Sequence, residues 1–195
     1  MKIKELRLLS IEQLLKFMSI AEKLKCTTRH SWTSSNRQES VAEHSWRLCL
    51  LAYLLKNELK DYDIDKVILM CLIHDLGEAI TGDIPTFNKS NKDEEIEKEA
   101  VNKVIEVLDR ELGEELKNIF TEIHEEKTKE SKLFKALDKL EVVMQHNEAP
   151  IETWIELEYK LNLVYGEKEA EEIPFLKEFR RELKSVSEEK ILKNK

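Results

Sequence analysis

Apolar residues recur along this chain at the three- and four-residue spacing of amphipathic helices. The pattern predicts about eight helices, and no segment shows the two-residue alternation of a strand. Residues typical of helix starts and stops lie between the runs: Asp63, Gly113, Pro150 and Pro174. The predicted helices are Ile11 to Leu24, Val41 to Leu55, Ile64 to Leu76, Ile96 to Leu112, Leu116 to Ile123, Leu133 to Met144, Ile151 to Tyr165 and Phe175 to Leu183.

Composition supports the same picture. The 195 residues suit one domain, and 41% hydrophobic with 37% charged residues, 4 Gly and 3 Pro is the profile of a soluble helical protein. We therefore predict an all-α fold, a single compact helical bundle over residues 1–195. Its C-terminal helices are expected within 151–185, followed by a polar tail at 186–195 that frays.

Charge, cysteine usage and the N-terminal sequence argue against a nucleic-acid-binding, a disulfide-bonded or a membrane protein. A net charge of -8 disfavours binding to long nucleic acid. The three cysteines have no paired spacing, which favours reduced thiols in a cytoplasmic protein. The amphipathic N-terminus MKIKELRLLSIEQLLKFM contains no apolar stretch long enough for a signal peptide or a membrane span, so we read it as a folded helix and expect no membrane partner.

Candidate metal ligands come from three separate segments: His44, the adjacent pair His74 and Asp75, and Asp138. Neighbouring helical residues point roughly 100° apart, so the adjacent pair can share one ion. Two imidazoles with two carboxylates suit one divalent transition metal ion (Mn, Co, Fe, Ni or Zn) and leave positions for water and substrate. Taken singly, His44 could be a hydrogen-bonded core histidine, and Asp138 a cap or surface charge.

Two more carboxylates and a basic loop flank these ligands. Glu78 is one helical turn beyond Asp75 and could reach a metal-bound water, while Asp83 follows Gly82 in a predicted loop. The alternative is a solvated pair of helix-terminal acids. The stretch TTRHSWTSSNRQES offers guanidinium groups and an aromatic wall for a phosphate and a nucleoside, or else is a solvated loop with an ordinary buried tryptophan. Its candidate substrate-binding residues are Arg29, Trp32 and Arg37.

Three strings, QESVAEHSWR, HDLGEAITGDIP and KALDKLE, together resemble the HD-domain phosphohydrolase superfamily, and within it the 5'-deoxynucleotidase branch. The likeness runs over about residues 24–148, the motif core. It implies an HD-domain bundle, metal ligation by the four residues above, Glu78 acting on the catalytic water, and Asp83 beside the sugar and its phosphate as general acid or sugar contact. In the bacterial nucleotidases an Arg and a Trp are neighbours, whereas His30 and Ser31 separate Arg29 from Trp32 here.

The resemblance therefore implies a metal-dependent phosphomonoester hydrolase that cleaves deoxynucleoside 5'-monophosphates by metal-activated water. It also implies a homodimer, for which the amphipathic Ile11 to Leu24 and Ile151 to Tyr165 runs offer apolar surface. Two alternatives stay open: an HD phosphohydrolase acting on nucleoside triphosphates or another phosphate monoester, and a non-catalytic, metal-stabilised helical binding module. Glu78 and Asp83 argue against the module, since a structural site needs neither.

Overall fold

Short polar side chains begin most of the long helices. The side chains of Ser10, Ser40 and Ser90 each accept a hydrogen bond from the backbone N–H three residues later. In return, the backbone N–H of each serine donates a hydrogen bond to the side chain of that later residue. Asp109 and Thr128 cap two more helices from their side-chain oxygens. Such caps satisfy N–H groups that have no partner within the helix, so these sites set where each helix begins.

The computed structural model describes residues 9–85 and 89–194. Long helices dominate this part of the chain, as the sequence predicts, and none of them is long and apolar enough to cross a membrane. The elements are α1 (Ile11–Glu22), β1 (Thr28–Trp32), β2 (Gln38–Ser40), α2 (Val41–Leu54), α3 (Ile64–Ile73), α4 (Glu78–Thr81), α5 (Asn91–Ile105), α6 (Arg110–Glu125), α7 (Lys129–Glu148), α8 (Glu158–Leu161), α9 (Glu167–Ala170) and α10 (Pro174–Lys193), with short 3-10 turns at Lys23–Lys25 and Ile151–Thr153.

Helix α7 lies at the centre of the core. Its buried apolar face packs against α2, α3, α6 and α10, which together enclose the larger hydrophobic cluster. A smaller cluster joins α1, α4 and α6 on one side. Burial of this kind contributes about 25 cal/mol per Å² of apolar area. Any polar side chain on the inner face of α7 is thereby held rigidly inside the protein.

A short hairpin departs from the all-helical prediction. Strands β1 and β2 pair antiparallel, with Thr28 opposite Ser40 and Trp32 opposite Gln38. The turn is closed by a hydrogen bond from Thr33 N–H to the Arg37 carbonyl, 2.7 Å long. Strands of five and three residues are too short to produce a visible two-residue alternation.

The predicted break between the fourth and fifth helices was misplaced. Helix α5 ends at Ile105 and Asp109 caps α6, so the predicted run Ile96 to Leu112 is divided in its middle. Gly113 is not a stop signal, because it lies inside α6. A Cβ atom added there would lie 3.2 Å from the Ile105 side chain, so the glycine allows α6 to approach α5 closely.

The C-terminal region also differs from the prediction. The run Ile151 to Tyr165 is not one helix but a 3-10 turn and the short α8 with irregular connections. The polar tail does not fray over 186–193, since α10 continues to Lys193. Its Ser187 is fully buried and donates a hydrogen bond to Asn147 Oδ1, 2.7 Å away. The first eight residues of the predicted N-terminal helix lie outside the described part of the chain.

Candidate metal centre and active site

His44 lies one turn into α2 and is fully buried. Its Nδ1 is 2.6 Å from Glu141 Oε2, and because an ionised carboxylate only accepts, Nδ1 carries the hydrogen. The other ring nitrogen, Nε2, has no hydrogen bond of good geometry and lies 3.3 Å from Asp138 Oδ1. An imidazole whose Nδ1–H is fixed by a carboxylate presents Nε2 as a metal ligand.

His74 and Asp75 directly follow the last residue of α3. His74 Nδ1 is 2.9 Å from the Cys71 carbonyl oxygen, which again directs Nε2 away from the backbone. That Nε2 lies 3.0 Å from Asp75 Oδ2, and the rings of His74 and His44 are 5.3 Å apart. One ligand atom from each of these three residues falls within 4.8 Å of the others. The structure therefore brings three of the four predicted ligands into one group.

Asp138, the fourth predicted ligand, is on α7 beside this group, with its Oδ1 3.3 Å from His44 Nε2. Burial raises its pKa, but the close contact with His44 and the charge of His74 outweigh burial and hold the pKa well below the usual range. At His44, burial and Arg29 lower the pKa, yet Glu141 and Asp138 raise it to about 10. The site thus strongly favours a cation at Nε2. A divalent ion fits this donor set of two imidazole nitrogens and two carboxylates.

Glu78 begins the short helix α4, and its side chain is only 6% exposed. Its Oε2 has no hydrogen-bond partner among the described residues. Burial, followed by the charges of Asp75 and Asp83, raises the pKa of Glu78 to about 10, against the opposing charges of Arg29 and Lys89. A carboxyl group that holds a proton beside the candidate ligands has the property required for proton exchange with a bound water.

Asp83 follows Gly82, whose φ of 77° belongs to the left-handed region that glycine tolerates. This turn places the Asp83 carboxylate over β1, where it accepts a hydrogen bond from the His30 backbone N–H. Burial raises the pKa of Asp83, and the nearby Arg29 guanidinium opposes that rise. Glu78 and Asp83 thus both lie near enough to Arg29 for its charge to lower their pKa values.

The three predicted substrate-binding residues have different fates. Arg29 reaches the cluster, with Nη1 3.4 Å from Asp75 Oδ2; burial lowers its pKa, but Asp75 and Glu39 outweigh burial and raise it. Trp32 is half-buried at the end of β1, and its carbonyl accepts a bond from Gln145. Arg37 does not join the cluster, because its exposed guanidinium binds both carboxylate oxygens of Glu43.

Sequence reasoning missed two buried acids, Glu39 and Glu141. Glu141 follows Asp138 by one helical turn, so their shared face on α7 was a usable signal. Glu39 lies in β2 and had no such signal, since its burial depends on the hairpin. His124 lies on α6 and is exposed, away from the candidate ligands.

This chain is similar in sequence to a known protein family and to named relatives within the compared proteins. The HD domain family matches residues 21–179. The 5'-deoxynucleotidase HDDC2 of Dictyostelium discoideum is 36% identical over 141 residues, covering 67% of this chain and 74% of that protein. The human protein of the same name is 31% identical over 139 residues, covering 69% of this chain and 67% of that protein.

Solved structures share the fold. A conserved hypothetical protein from Pyrococcus furiosus is 31% identical, with a TM-score of 0.65 over 88% of this chain and 98% of its own. A Magnetospirillum magnetotacticum protein described as a predicted metal-dependent phosphohydrolase gives a TM-score of 0.77 at 24% identity, over 91% of this chain and 92% of its own. The latter likeness concerns the fold alone.

Replacing His74 by Ala is expected to abolish stoichiometric binding of a divalent metal, because it removes one of two imidazole ligands from the group. Elemental analysis of the purified variant checks this. His124→Ala is the matched control, since that imidazole is exposed, and it should keep the wild-type metal content. Full metal content in the His74 variant would exclude the residue as a ligand.

Proposed function

Because this chain belongs to the HD domain family, we propose that it is a metal-dependent phosphohydrolase that converts deoxynucleoside 5'-monophosphates to deoxynucleosides and phosphate. The observation that carries the proposal is the group of the buried His44 with the partly buried His74 and Asp75, which has Asp138 at its edge and Glu78 beside it. The 5'-deoxynucleotidase relatives, which match about two thirds of the chain, support the substrate class.

We assign metal binding to the four ligands. A bound divalent ion would supply a coordinated water of lowered pKa and neutralise phosphoryl charge. The protein's part is positional: His44 and His74 each have Nδ1 held by an acceptor, so their rings are oriented before any ion binds. The residues alone do not discriminate between Mn, Co, Fe, Ni and Zn, since borderline nitrogen and hard oxygen donors suit each.

Glu78 is assigned to the attacking water. Burial is the largest cause of its raised pKa and the charge of Asp75 the next, so neutralisation of Asp75 by a bound cation would lower the pKa of Glu78 and favour its acceptance of a proton from water. The water oxygen then bonds to phosphorus as the bond to the sugar 5'-oxygen breaks. Asp83 is assigned to the sugar side, as general acid toward that oxygen or as a contact to the sugar. Arg29 is assigned to the phosphate oxygens.

Glu78→Gln is expected to keep the metal and lose roughly a hundredfold in turnover, the size of effect typical for removing a general acid or base. Elemental analysis and single-turnover kinetics on the same preparation separate the two properties. Glu99→Gln, an exposed position on α5, is the control and should match wild type. A variant with wild-type turnover would make Glu78 a structural residue only.

Substrate choice is tested by phosphate release from dAMP, AMP, dTMP and dATP. We expect dAMP and dTMP to be hydrolysed at similar rates, because stacking on an aromatic face such as Trp32 accepts any base. We expect AMP to be slower, since Asp83 and Trp32 are proposed to crowd the 2'-hydroxyl. Faster release from dATP would favour a triphosphohydrolase, and equal rates with AMP and dAMP would remove the sugar preference alone.

We also propose a homodimer in the cytoplasm. One face of α1 carries four exposed apolar side chains at helical spacing, and exposed apolar stripes of this kind mark interaction surfaces. The second predicted surface, the Ile151 to Tyr165 run, is not a continuous helix. The exposed α1 side chains are Ile11, Leu14, Leu15 and Met18.

Leu15→Glu is expected to convert a dimer to a monomer, because it places a charge in the α1 stripe. Light scattering should give twice the 23.0 kDa chain mass for wild type and the single mass for the variant. Lys16→Glu, on the same helix but away from the stripe, should remain dimeric. A single-chain mass for wild type at micromolar concentration would contradict the proposal.

A further inference from the structure

Glu39 is a buried carboxylate that the reaction outlined above does not use. It lies in β2 immediately before the cap of α2 and is 2% exposed. Its Oε2 is 3.4 Å from Arg29 Nε. Burial and the Glu141 carboxylate raise the pKa of Glu39, while the charges of Arg29 and His44 oppose that rise. Burying a carboxylate here is costly, so the contact with Arg29 needs a reason beyond packing.

A second metal site is one interpretation of this region. Ligand atoms of Glu39, His44 and Glu141 do lie within 4.8 Å of one another. However, His44 Nδ1 is already hydrogen-bonded to Glu141. Guanidinium nitrogens also lie against both acids, Arg29 Nε 3.4 Å from Glu39 and Arg47 Nε 3.6 Å from Glu141. Each of these acids therefore already has a cationic side chain as its partner. This arrangement favours a role in holding the arginines over a role in binding a second metal ion.

The contacts of Arg29 show how Glu39 acts on its guanidinium group. Nη1 donates a hydrogen bond of 3.4 Å to Asp75 Oδ2, and Nε makes an ion-pair contact of 3.4 Å with Glu39 Oε2 that does not have hydrogen-bond geometry. A guanidinium is planar and has five N–H groups in a fixed fork, so two anchors on different nitrogens define its plane. The remaining N–H groups are then already oriented by the protein before a ligand binds. Asp75 provides one anchor from the metal group, and Glu39 provides the other from the hairpin.

We propose that Glu39 is a positioning residue that orients Arg29 to bind the substrate phosphate. The proposal rests on the assignment of a phosphate ester as substrate. The proposal predicts the direction in which phosphate affinity changes when the charge of Glu39 is removed. Removing a negative charge near an anion site should strengthen phosphate binding if only the electrostatic field mattered. Loss of orientation should weaken it.

Calorimetric titration of the metal-loaded protein with inorganic phosphate tests this without requiring turnover. Glu39→Gln preserves shape and removes the charge, and we expect phosphate affinity to fall about tenfold, as for loss of one charge-assisted contact. Arg29→Ala should lose at least as much. The double variant should bind no more weakly than Arg29→Ala, because Glu39 acts only through that arginine. Glu39→Asp, which keeps the charge but shortens the reach, should also weaken binding and serves if the Gln variant does not fold.

Two controls separate positioning from structural damage. Glu122→Gln removes a carboxylate from a partly buried pair with Lys66, far along the chain on α6, and should leave phosphate binding unchanged. The visible spectrum of the cobalt-loaded protein should be the same in wild type and Glu39→Gln, since the proposed ligands are untouched.

The outcomes are distinct. Equal or tighter phosphate binding in Glu39→Gln overturns the proposal, as do additive losses in the double variant or an altered cobalt spectrum, which would place Glu39 in the metal site itself. Failure of the metal-loaded wild type to bind phosphate also overturns it. If the wild type binds phosphate but releases none from any nucleoside monophosphate, the proposed function fails while the Glu39 comparison still decides the positioning role.

Discussion

The hydrogen bond between Glu141 and His44 is the contact on which the candidate site depends. It joins the central helix α7 to α2 through two side chains that are both fully buried, at 2.6 Å. By holding the hydrogen on Nδ1, it leaves Nε2 directed toward Asp138 and His74. Without this bond the imidazole could rotate or change tautomer, and the ligand group would lose its geometry. This one short contact therefore links two core helices and orients the imidazole between them.

The same region concentrates acids at a cost to stability. Several buried or partly buried carboxylates converge where Arg29, Arg47, Lys89 and two imidazoles provide counter-charge, and isolated buried charge is expensive. A bound divalent cation would offset much of that cost. The apolar clusters on either side of α7 supply the stability that allows such a site to persist. The converging acids are Glu39, Asp75, Glu78, Asp138 and Glu141.

The hairpin gives this helical protein a rigid platform beside the site. Strand β1 supplies Arg29, and its His30 backbone N–H holds Asp83. Strand β2 supplies Glu39 and ends at the cap of the helix that carries His44. The residues proposed to contact metal, phosphate and sugar thus lie in or beside one small backbone unit. A rigid unit of this kind lowers the cost of orienting a substrate, because the side chains need not be ordered on binding.

The sequence by itself determined the helical class, most long helices and the set of candidate ligands. Periodicity and caps are local properties of the sequence. The adjacent pair His74 and Asp75, with Glu78 one turn later, can likewise be recognised without knowing the fold. It could also have suggested Glu141, which shares a face of α7 with Asp138. It did not reveal the hairpin, whose strands are too short to show a period, or the division of the chain at Asp109.

Only the tertiary structure decided which polar residues meet. Arg29 and Arg37 are equivalent in the sequence, yet Arg29 enters the cluster from β1, whereas Arg37 lies in the exposed turn before β2 and pairs with Glu43 at the surface. The polar segment after residue 186 looked solvated, but Asn147 on α7 provides a partner for Ser187 and extends α10 along the core. Long-range contacts of this kind depend on residues far apart in the chain, and local pattern carries no record of them.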